Sequence, residues 1–173
     1  GWSVKKLVRE VVLSRAYQLS SAHDPANAKI DPDNAFFWKM NQRRLDAESM
    51  RDAMLAVSGR VILSPAEGSP VQKMDGNIGR NPKQLEELRK AKLDNRSIYL
   101  PVARQAIPEV LKTFDFAEPS IIVGRRDVTT VPTQALFLLN SDFVITQSKA
   151  LAEGLAQVRK EDQIDQAFRL LFA

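Results

Sequence analysis

The stretch Gly124–Asn140 joins a charged, hydroxyl-rich segment directly to a nearly unbroken apolar run. Pro132 suits the first turn of a helix, because its ring fixes φ and its missing N–H would have no helical partner there. Positions 135 to 139 are apolar on nearly every side of such a helix, which is typical of a buried element. The stretch therefore predicts a central helix with a polar segment held rigidly at its start.

Elsewhere, apolar residues recur at intervals of three and four, which indicates helices rather than strands. Ser3, Asn81 and Ser141 are placed to cap helices, and Gly59 stands where a helix end needs a left-handed residue. We therefore predict a mainly α, irregular helical domain of about five to six helices, with at most one or two short strands. The predicted helical segments are Ser3–Gln18, Arg44–Ser58, Asn81–Lys92, Ile107–Phe114 and Pro132–Leu139, and two more that begin near Ser141 and Ile164.

Proline and glycine interrupt the helical pattern in two places. The segment Asp24–Asn34 contains two Asp-Pro steps and is predicted to be a loop, which the aromatic cluster 36–38 anchors to the core. Residues 61–104 are predicted to form a loop-rich excursion, least ordered from Val61 to Asn81. Within it, Ser97–Val102 is rich in β-branched and aromatic residues and is predicted to be extended.

The composition of the chain argues against several classes of function. A chain of 173 residues with 44% hydrophobic content fits a single domain over residues 1–173. Because it has no cysteine, it has no disulfide, thiolate metal site or covalent haem attachment. The net charge of +4 is interleaved with acids, and aromatic residues are scattered, so we expect no nucleic-acid partner. No apolar stretch is long enough to predict a membrane span.

The polar part of the Gly124–Asn140 stretch contains Arg125, Arg126, Asp127, Thr129 and Thr130. Guanidinium groups beside the free amides of a helix start suit a phosphate or sulfate, which makes these residues candidate ligands for an anion. Alternatively, Asp127 or a threonine caps the helix and an arginine pairs with a carboxylate elsewhere in the fold. The sequence leaves both interpretations open.

A second cluster of opposite charges lies on the predicted helix Arg44–Ser58. Helical spacing puts Glu48 beside Arg44, Arg51 and Asp52. Such a lattice either solvates a helix face or lets the arginines grip a carboxylate, sulfate or phosphate. Arg44 and Glu48 are therefore added to the candidate ligand-binding residues.

Two further constellations favour structural roles. His23 is the only histidine, and its neighbourhood in a predicted loop does not by itself show a catalytic triad. The turn Asp31–Asn34 superficially resembles the start of a calcium loop, but Phe36 and Gln42 stand where that loop requires glycine and glutamate. We predict no metal site.

Six separated motifs, in order, resemble the C-terminal domain of planctomycete cytochrome-associated proteins. They are WSVKKL at 2–7, DPDN at 31–34, RRLDAE and RDAMLAVSG within 43–59, SIYL at 97–100, FDF at 114–116, and the stretch that runs to LNS at 139–141. The resemblance implies a domain of unknown function in a large exported protein, often following a cytochrome c-like module. It therefore implies an extracytoplasmic location, neighbouring domains as partners and a fragment of a longer chain, with haem held only by the separate module.

These observations lead to three hypotheses. The first is an accessory or interaction domain that docks onto neighbouring domains and binds an anionic ligand near Arg125. The second is a catalytic domain acting on polysaccharide or another complex substrate, redox-coupled to the attached cytochrome, with Arg44, Asp46, Glu48 and Asp127 as candidates. The third is a binding module for sulfated or acidic glycans through the arginines. None of them assigns a cofactor to this segment.

Overall fold

The computed structural model describes residues 2–74, 81–91, 93–104 and 106–172. The chain divides into two compact units, Gly1–Arg44 and Leu45–Ala173, and each is described by itself. The prediction of a single domain over residues 1–173 stays a prediction. The mainly helical class is confirmed: the described residues contain eight α-helices and no strand, only an isolated bridge between Ile62 and Asn95.

The helices are bounded as follows. They are α1 Val4–Val12, α2 Pro25–Ile30, α3 Ala47–Val57, α4 Pro82–Lys90, α5 Glu109–Thr113, α6 Pro132–Asn140, α7 Asp142–Leu155 and α8 Gln163–Phe172, with short 3-10 helices at Pro70–Lys73 and Ser97–Tyr99.

In the first unit, two predictions are wrong. Helix α1 ends at Val12 rather than Gln18, and the chain then turns at Ser14, whose carbonyl and hydroxyl both accept the N–H of Tyr17. The predicted loop at Asp24–Asn34 contains α2. The Asp24 carboxylate accepts the N–H groups of residues 26 and 27, so Asp24 caps a helix that Pro25 begins.

The aromatic cluster 36–38 was also predicted wrongly in part. Phe36 and Phe37 do not anchor the loop, because their exposed fractions are 85% and 67%. Trp38 alone of the three is half-buried. Its indole N–H donates to the Asp31 carbonyl at 2.9 Å.

The core of the second unit lies where α3 meets α5, α6 and α7. Ala47, Val110, Leu111, Phe114 and Phe137 form its buried cluster. The rings of Phe114 and Phe137 meet edge to face, with centroids 5.8 Å apart. This cluster fixes the start of α3 and the segment after α5, which together carry the candidate site.

Helix α6 is not the central helix that the sequence predicts. Only Gln134 and Phe137 are buried, whereas Leu136, Leu138 and Leu139 are exposed. The apolar run does form a helix that begins at Pro132, as predicted. The described core nevertheless covers one side of it alone.

Two backbone hydrogen bonds join the first part of the excursion at 61–104 to its later part. The Ile62 N–H donates to the Asp94 carbonyl at 2.8 Å, and the Arg96 N–H donates back to the Ile62 carbonyl at 3.3 Å. Ser97 begins a 3-10 helix instead of an extended segment, because Asp52 holds its N–H and hydroxyl. Asn81 caps α4 as predicted. Gly76, Gly79 and Lys92, on which the excursion and the end of the predicted helix also depended, lie outside the described residues.

Candidate functional site

The start of α3 presents Glu48 to the segment that follows α5. Asp46 is the N-cap of α3, and its carboxylate accepts the Ser49 N–H at 2.8 Å. Hydrogen bonds from the Ser49 side chain and backbone lower the pKa of Asp46. Since Arg44 precedes this cap and belongs to the first unit, it is not on the helix where the sequence placed it. Glu48 lies on the first turn, half-buried.

Arg126 forms a two-bonded pair with Glu48. Its Nη1 donates to Glu48 Oε2 at 2.6 Å, and its Nη2 donates to Oε1 at 2.8 Å. The guanidinium also lies over the Phe116 ring, 5.1 Å from its centroid. The hydrogen bonds to Glu48 raise the pKa of Arg126. This arginine therefore holds its loop to α3, as the structural interpretation of the arginine pair predicts.

We call the pair of Arg126 and Glu48 the first clamp of this loop. A second clamp lies three residues further on, at Thr129. The Asp115 carboxylate accepts the N–H and the hydroxyl of Thr129, both at 2.8 Å. Asp115 has a φ of +61°, a left-handed conformation that aspartate tolerates better than most residues. Its side chain thereby reaches back across the turn to Thr129. The loop is thus fixed to the body of the unit at residues 126 and 129.

Gln134 completes the start of α6. Its Oε1 accepts the Val131 N–H at 3.3 Å, and its Nε2 donates to the Thr113 carbonyl at 3.1 Å. The same Nε2 donates to Thr129 Oγ1 at 3.3 Å. The interpretation in which Asp127 or a threonine caps this helix is wrong, because Val131 is the N-cap residue and no side chain caps the first turn.

The clamped loop, residues 121–128, displays apolar side chains. Ile121, Ile122, Val123 and Val128 are all exposed, and the exposed fraction of Ile122 is 102%. A loop that only connects two helices is normally polar and mobile. This loop is held at Arg126 and Thr129, and its apolar side chains face solvent.

The predicted site residues divide into two groups. Arg126, Glu48 and Thr129 are brought together and are occupied by the contacts described above. Arg125, Asp127 and Thr130 are exposed. Among the described residues, Arg125 and Asp127 take part in no ion pair.

Sequence reasoning missed Asp115, Phe116 and Gln134. The sequence points to these residues in part, because Asp115 and Phe116 belong to the motif FDF and Gln134 belongs to the stretch Gly124–Asn140. Their pairing with positions 126 and 129 is set by the packing of α3, α5 and α6, which local spacing does not encode.

A second polar cluster is buried between α3 and the end of the excursion. Arg51 Nη1 donates to the Asn95 carbonyl at 2.9 Å and to Ser97 Oγ at 3.2 Å, and Nη2 donates to the Leu93 carbonyl. Asp52 accepts the Ser97 hydroxyl at 2.6 Å. Burial lowers the pKa of Arg51. The arginine borders a cavity of about 530 Å³ that α4, α5 and α7 also line.

The remaining candidates lie in the first unit. The Asp31 carboxylate accepts two backbone N–H groups, which confirms the turn interpretation of Asp31–Asn34. His23 lies edge-on to Trp38, with ring centroids 6.3 Å apart. In the described part of the chain, no group of three or more histidine, aspartate or glutamate side chains is arranged to hold a metal ion. None of the helices described is both long and apolar enough to cross a membrane.

Comparison with known proteins gives one positive result. The sequence model of the PSD1 family, described as a protein of unknown function (DUF1553), matches residues 1–173. No curated protein and no solved structure matches the chain.

Proposed function

We propose that this chain, which belongs to the PSD1 family of proteins of unknown function (DUF1553), is an interaction domain that docks onto neighbouring domains of a larger protein. The docking surface consists of the clamped loop, residues 121–128, and the exposed leucines of α6. The observation that carries the proposal is the exposure of Ile121, Ile122, Val123 and Val128 beside the clamps at Arg126 and Thr129.

The energetics favour a covered loop. Burying one aliphatic side chain of this size stabilises a complex by about 1.5–3 kcal/mol relative to leaving it in water. The clamps at Arg126 and Thr129, and the turn bond from the Ile121 N–H to the Glu118 carbonyl at 3.1 Å, restrict the loop, which reduces the ordering entropy lost when a partner covers it. Rigid apolar display therefore favours binding, whereas a solvated connector gains nothing from it.

Helix α6 supports the same function. Leu136, Leu138 and Leu139 are exposed on a helix whose first turn is joined to the clamp through Gln134. An exposed apolar run on a rigid helix is typical of an interaction face. Loop and helix thus follow one another in the chain and share one support.

The nature of the larger protein comes from the sequence motifs. We infer from their resemblance that it is an exported planctomycete protein that carries a cytochrome c-like module, and that this domain lies outside the cytoplasm. Haem would belong to that module, since this segment has no cysteine with which to attach it. Fractionation of cells that express the tagged longer protein tests the location, and recovery in the cytoplasm would contradict it.

Hydrogen exchange tests the docking surface. The chain of residues 1–173 and the longer protein are compared, and we expect amides of residues 121–128 and α6 to exchange at least about tenfold more slowly in the longer protein. Ile122→Asp should remove this protection, while the control Ile98→Asp, at another exposed isoleucine of the same unit, should retain it. Equal exchange in the two proteins would show that this surface is not covered.

The clamp has its own matched pair of variants. Thr129→Val removes the hydroxyl that donates to Asp115, whereas Thr130→Val alters an exposed neighbour. We expect Thr129→Val alone to speed exchange in residues 121–128 of the isolated chain. If both variants behave alike, the clamp does not hold the loop.

Arg125 supports a second candidate function, the binding of an anionic ligand such as a sulfated or acidic glycan. Unlike Arg126, its exposed guanidinium pairs with no carboxylate among the described residues. Calorimetry with a sulfated oligosaccharide should show binding that weakens with salt and is lost in Arg125→Gln. Binding that is absent at low salt, or unaffected by the substitution, would rule out this role.

A further inference from the structure

The loop that follows α2 is held by a frame of hydrogen bonds from two almost fully buried side chains, Asp31 and Asn34. The Asp31 carboxylate accepts the N–H groups of Ala35 at 2.9 Å and Phe36 at 2.8 Å. The Asn34 side chain donates to the Lys39 carbonyl at 2.9 Å and accepts the Lys39 N–H at 3.2 Å. The frame therefore fixes the backbone on both sides of residues 36 and 37.

This frame turns two aromatic rings outward. Phe36 and Phe37 are mostly exposed, whereas the following Trp38 is tied into the loop through its indole N–H. Phe37 has a φ of +54°, a left-handed conformation that bulky side chains disfavour and that glycine or asparagine adopts more easily. Burial thus accounts for neither phenylalanine, and backbone preference does not account for the one at position 37.

We propose that Phe36 and Phe37 are the anchor residues of a contact with a neighbouring domain of the same polypeptide, where they enter an apolar pocket rimmed by carboxylates. The inference rests on the proposed function, which supplies the neighbouring domain, but it assigns a different surface on the other unit. Aromatic anchors that are already held in position lose little entropy on binding, and such residues dominate the affinity of protein interfaces.

The charges around the rings indicate the rim of the pocket. Lys29 and Arg43 are exposed, and the Lys39 ammonium lies over the Trp38 ring, 4.8 Å from its centroid. Between residues 29 and 44 the acids are Asp33 and the buried Asp31, whose carboxylate is occupied by backbone amides. The segment that carries the rings is therefore net positive, which carboxylates on the partner would complement.

Photo-crosslinking in the longer protein tests the contact. Benzoylphenylalanine replaces Phe36 or Phe37, and Tyr17, an exposed aromatic residue of the same unit outside the frame, serves as the control position. We expect positions 36 and 37, but not 17, to crosslink to one peptide of the same polypeptide that lies outside residues 1–173 and contains apolar residues and aspartate or glutamate. A crosslink within residues 1–173 would overturn the proposal. Crosslinks to a second copy, to another protein or to lipid would overturn the proposal, as would none.

Two aspartate variants distinguish the loss of the frame from a general loss of stability. Asp31→Ala removes the frame's acceptor, whereas Asp33→Ala removes an exposed carboxylate two residues away. With folding checked by circular dichroism, we expect Asp31→Ala to lose the crosslink from position 37 and Asp33→Ala to retain it. Equal yields from the two variants would contradict the role of the frame.

The outcomes for the two proposals are distinguishable. Slow exchange at residues 121–128 without a crosslink from 36 or 37 overturns the aromatic anchor and leaves the proposed function standing. The specific crosslink without protection at 121–128 overturns the docking surface on the second unit and leaves the anchor standing. Absence of both overturns both.

Discussion

Replacement of Arg51 by methionine should destabilise the second unit, because this arginine joins α3 to the end of the excursion. Arg51 is 4% exposed, and its guanidinium donates to the carbonyls of Leu93 and Asn95 and to the hydroxyl of Ser97. These partners lie more than 40 positions away in the sequence. Methionine keeps most of the apolar stem and removes these three hydrogen bonds together with a longer one to the Asp52 carboxylate at 3.4 Å.

The magnitude follows from opposing effects. Hydrogen bonds to a charged donor contribute about 1.5–3 kcal/mol each, so the three bonds to Leu93, Asn95 and Ser97 set an upper limit of roughly 9 kcal/mol. Burial of the guanidinium opposes this, as its lowered pKa shows, and methionine avoids that desolvation cost. Water from the adjoining cavity can also reach the freed carbonyls. We therefore expect a net loss of about 2–3 kcal/mol, or roughly 4–12 °C in Tm for a chain of this size.

Urea unfolding followed by far-UV circular dichroism measures this loss. Tryptophan fluorescence is unsuitable alone, because Trp2 and Trp38 both belong to the first unit. Arg51→Lys keeps the charge without the planar fork and should lose about half as much stability. The exposed control Arg125→Met should change the free energy of unfolding by less than about 0.5 kcal/mol. If Arg51→Met is no less stable than this control, the reasoning about the buried network is refuted.

Three further predictions concern local features. The pKa of Asp46 is lower in the folded state, so its contribution to stability is present above about pH 4 and is lost as pH falls through the folded pKa. Asp46→Asn should therefore lose less stability than the wild type between pH 6 and pH 3 in urea titrations. A double-mutant cycle of Glu48→Gln and Arg126→Met should give a coupling energy of about 1 kcal/mol that decreases in high salt, and zero coupling would contradict the clamp. Gly59→Ala should lower Tm because Gly59 has a φ of +72°, whereas Gly154→Ala within α7 should raise it by favouring helix; the reverse order would contradict both assignments.

The sequence predicts those features that depend on a few adjacent residues. Asn81 caps α4, Pro132 begins α6 and Gly59 ends α3 in a left-handed conformation, each by a rule that involves one helix turn. The pair of Arg126 and Glu48 is different, because 78 positions separate the two residues. Many carboxylates could pair with that arginine, and only the packing of α5 against α3 selects one.

Some local sequence patterns are compatible with either a loop or the start of a helix. An Asp-Pro step disfavours helix at the residue before proline, yet the same step supplies an N-cap and a first-turn proline for a helix that follows. At Asp24 and Pro25 the second effect wins, and α2 forms where a loop was predicted. At Asp31 the carboxylate instead accepts amides further along the chain, so a turn follows.

The apolar run of α6 shows why a correct helix prediction gave a wrong burial prediction. Apolar residues on all sides of a helix indicate that something covers every side, but they do not indicate that one chain segment supplies the cover. In the second unit, the described core covers the side that carries Phe137 and leaves Leu136 and Leu139 in water. The same reasoning applies to Phe36 and Phe37 in the first unit, which were predicted to anchor their loop to the core and are exposed instead. At each of these positions the exposure that contradicts the burial prediction is also the observation on which the proposed contact rests.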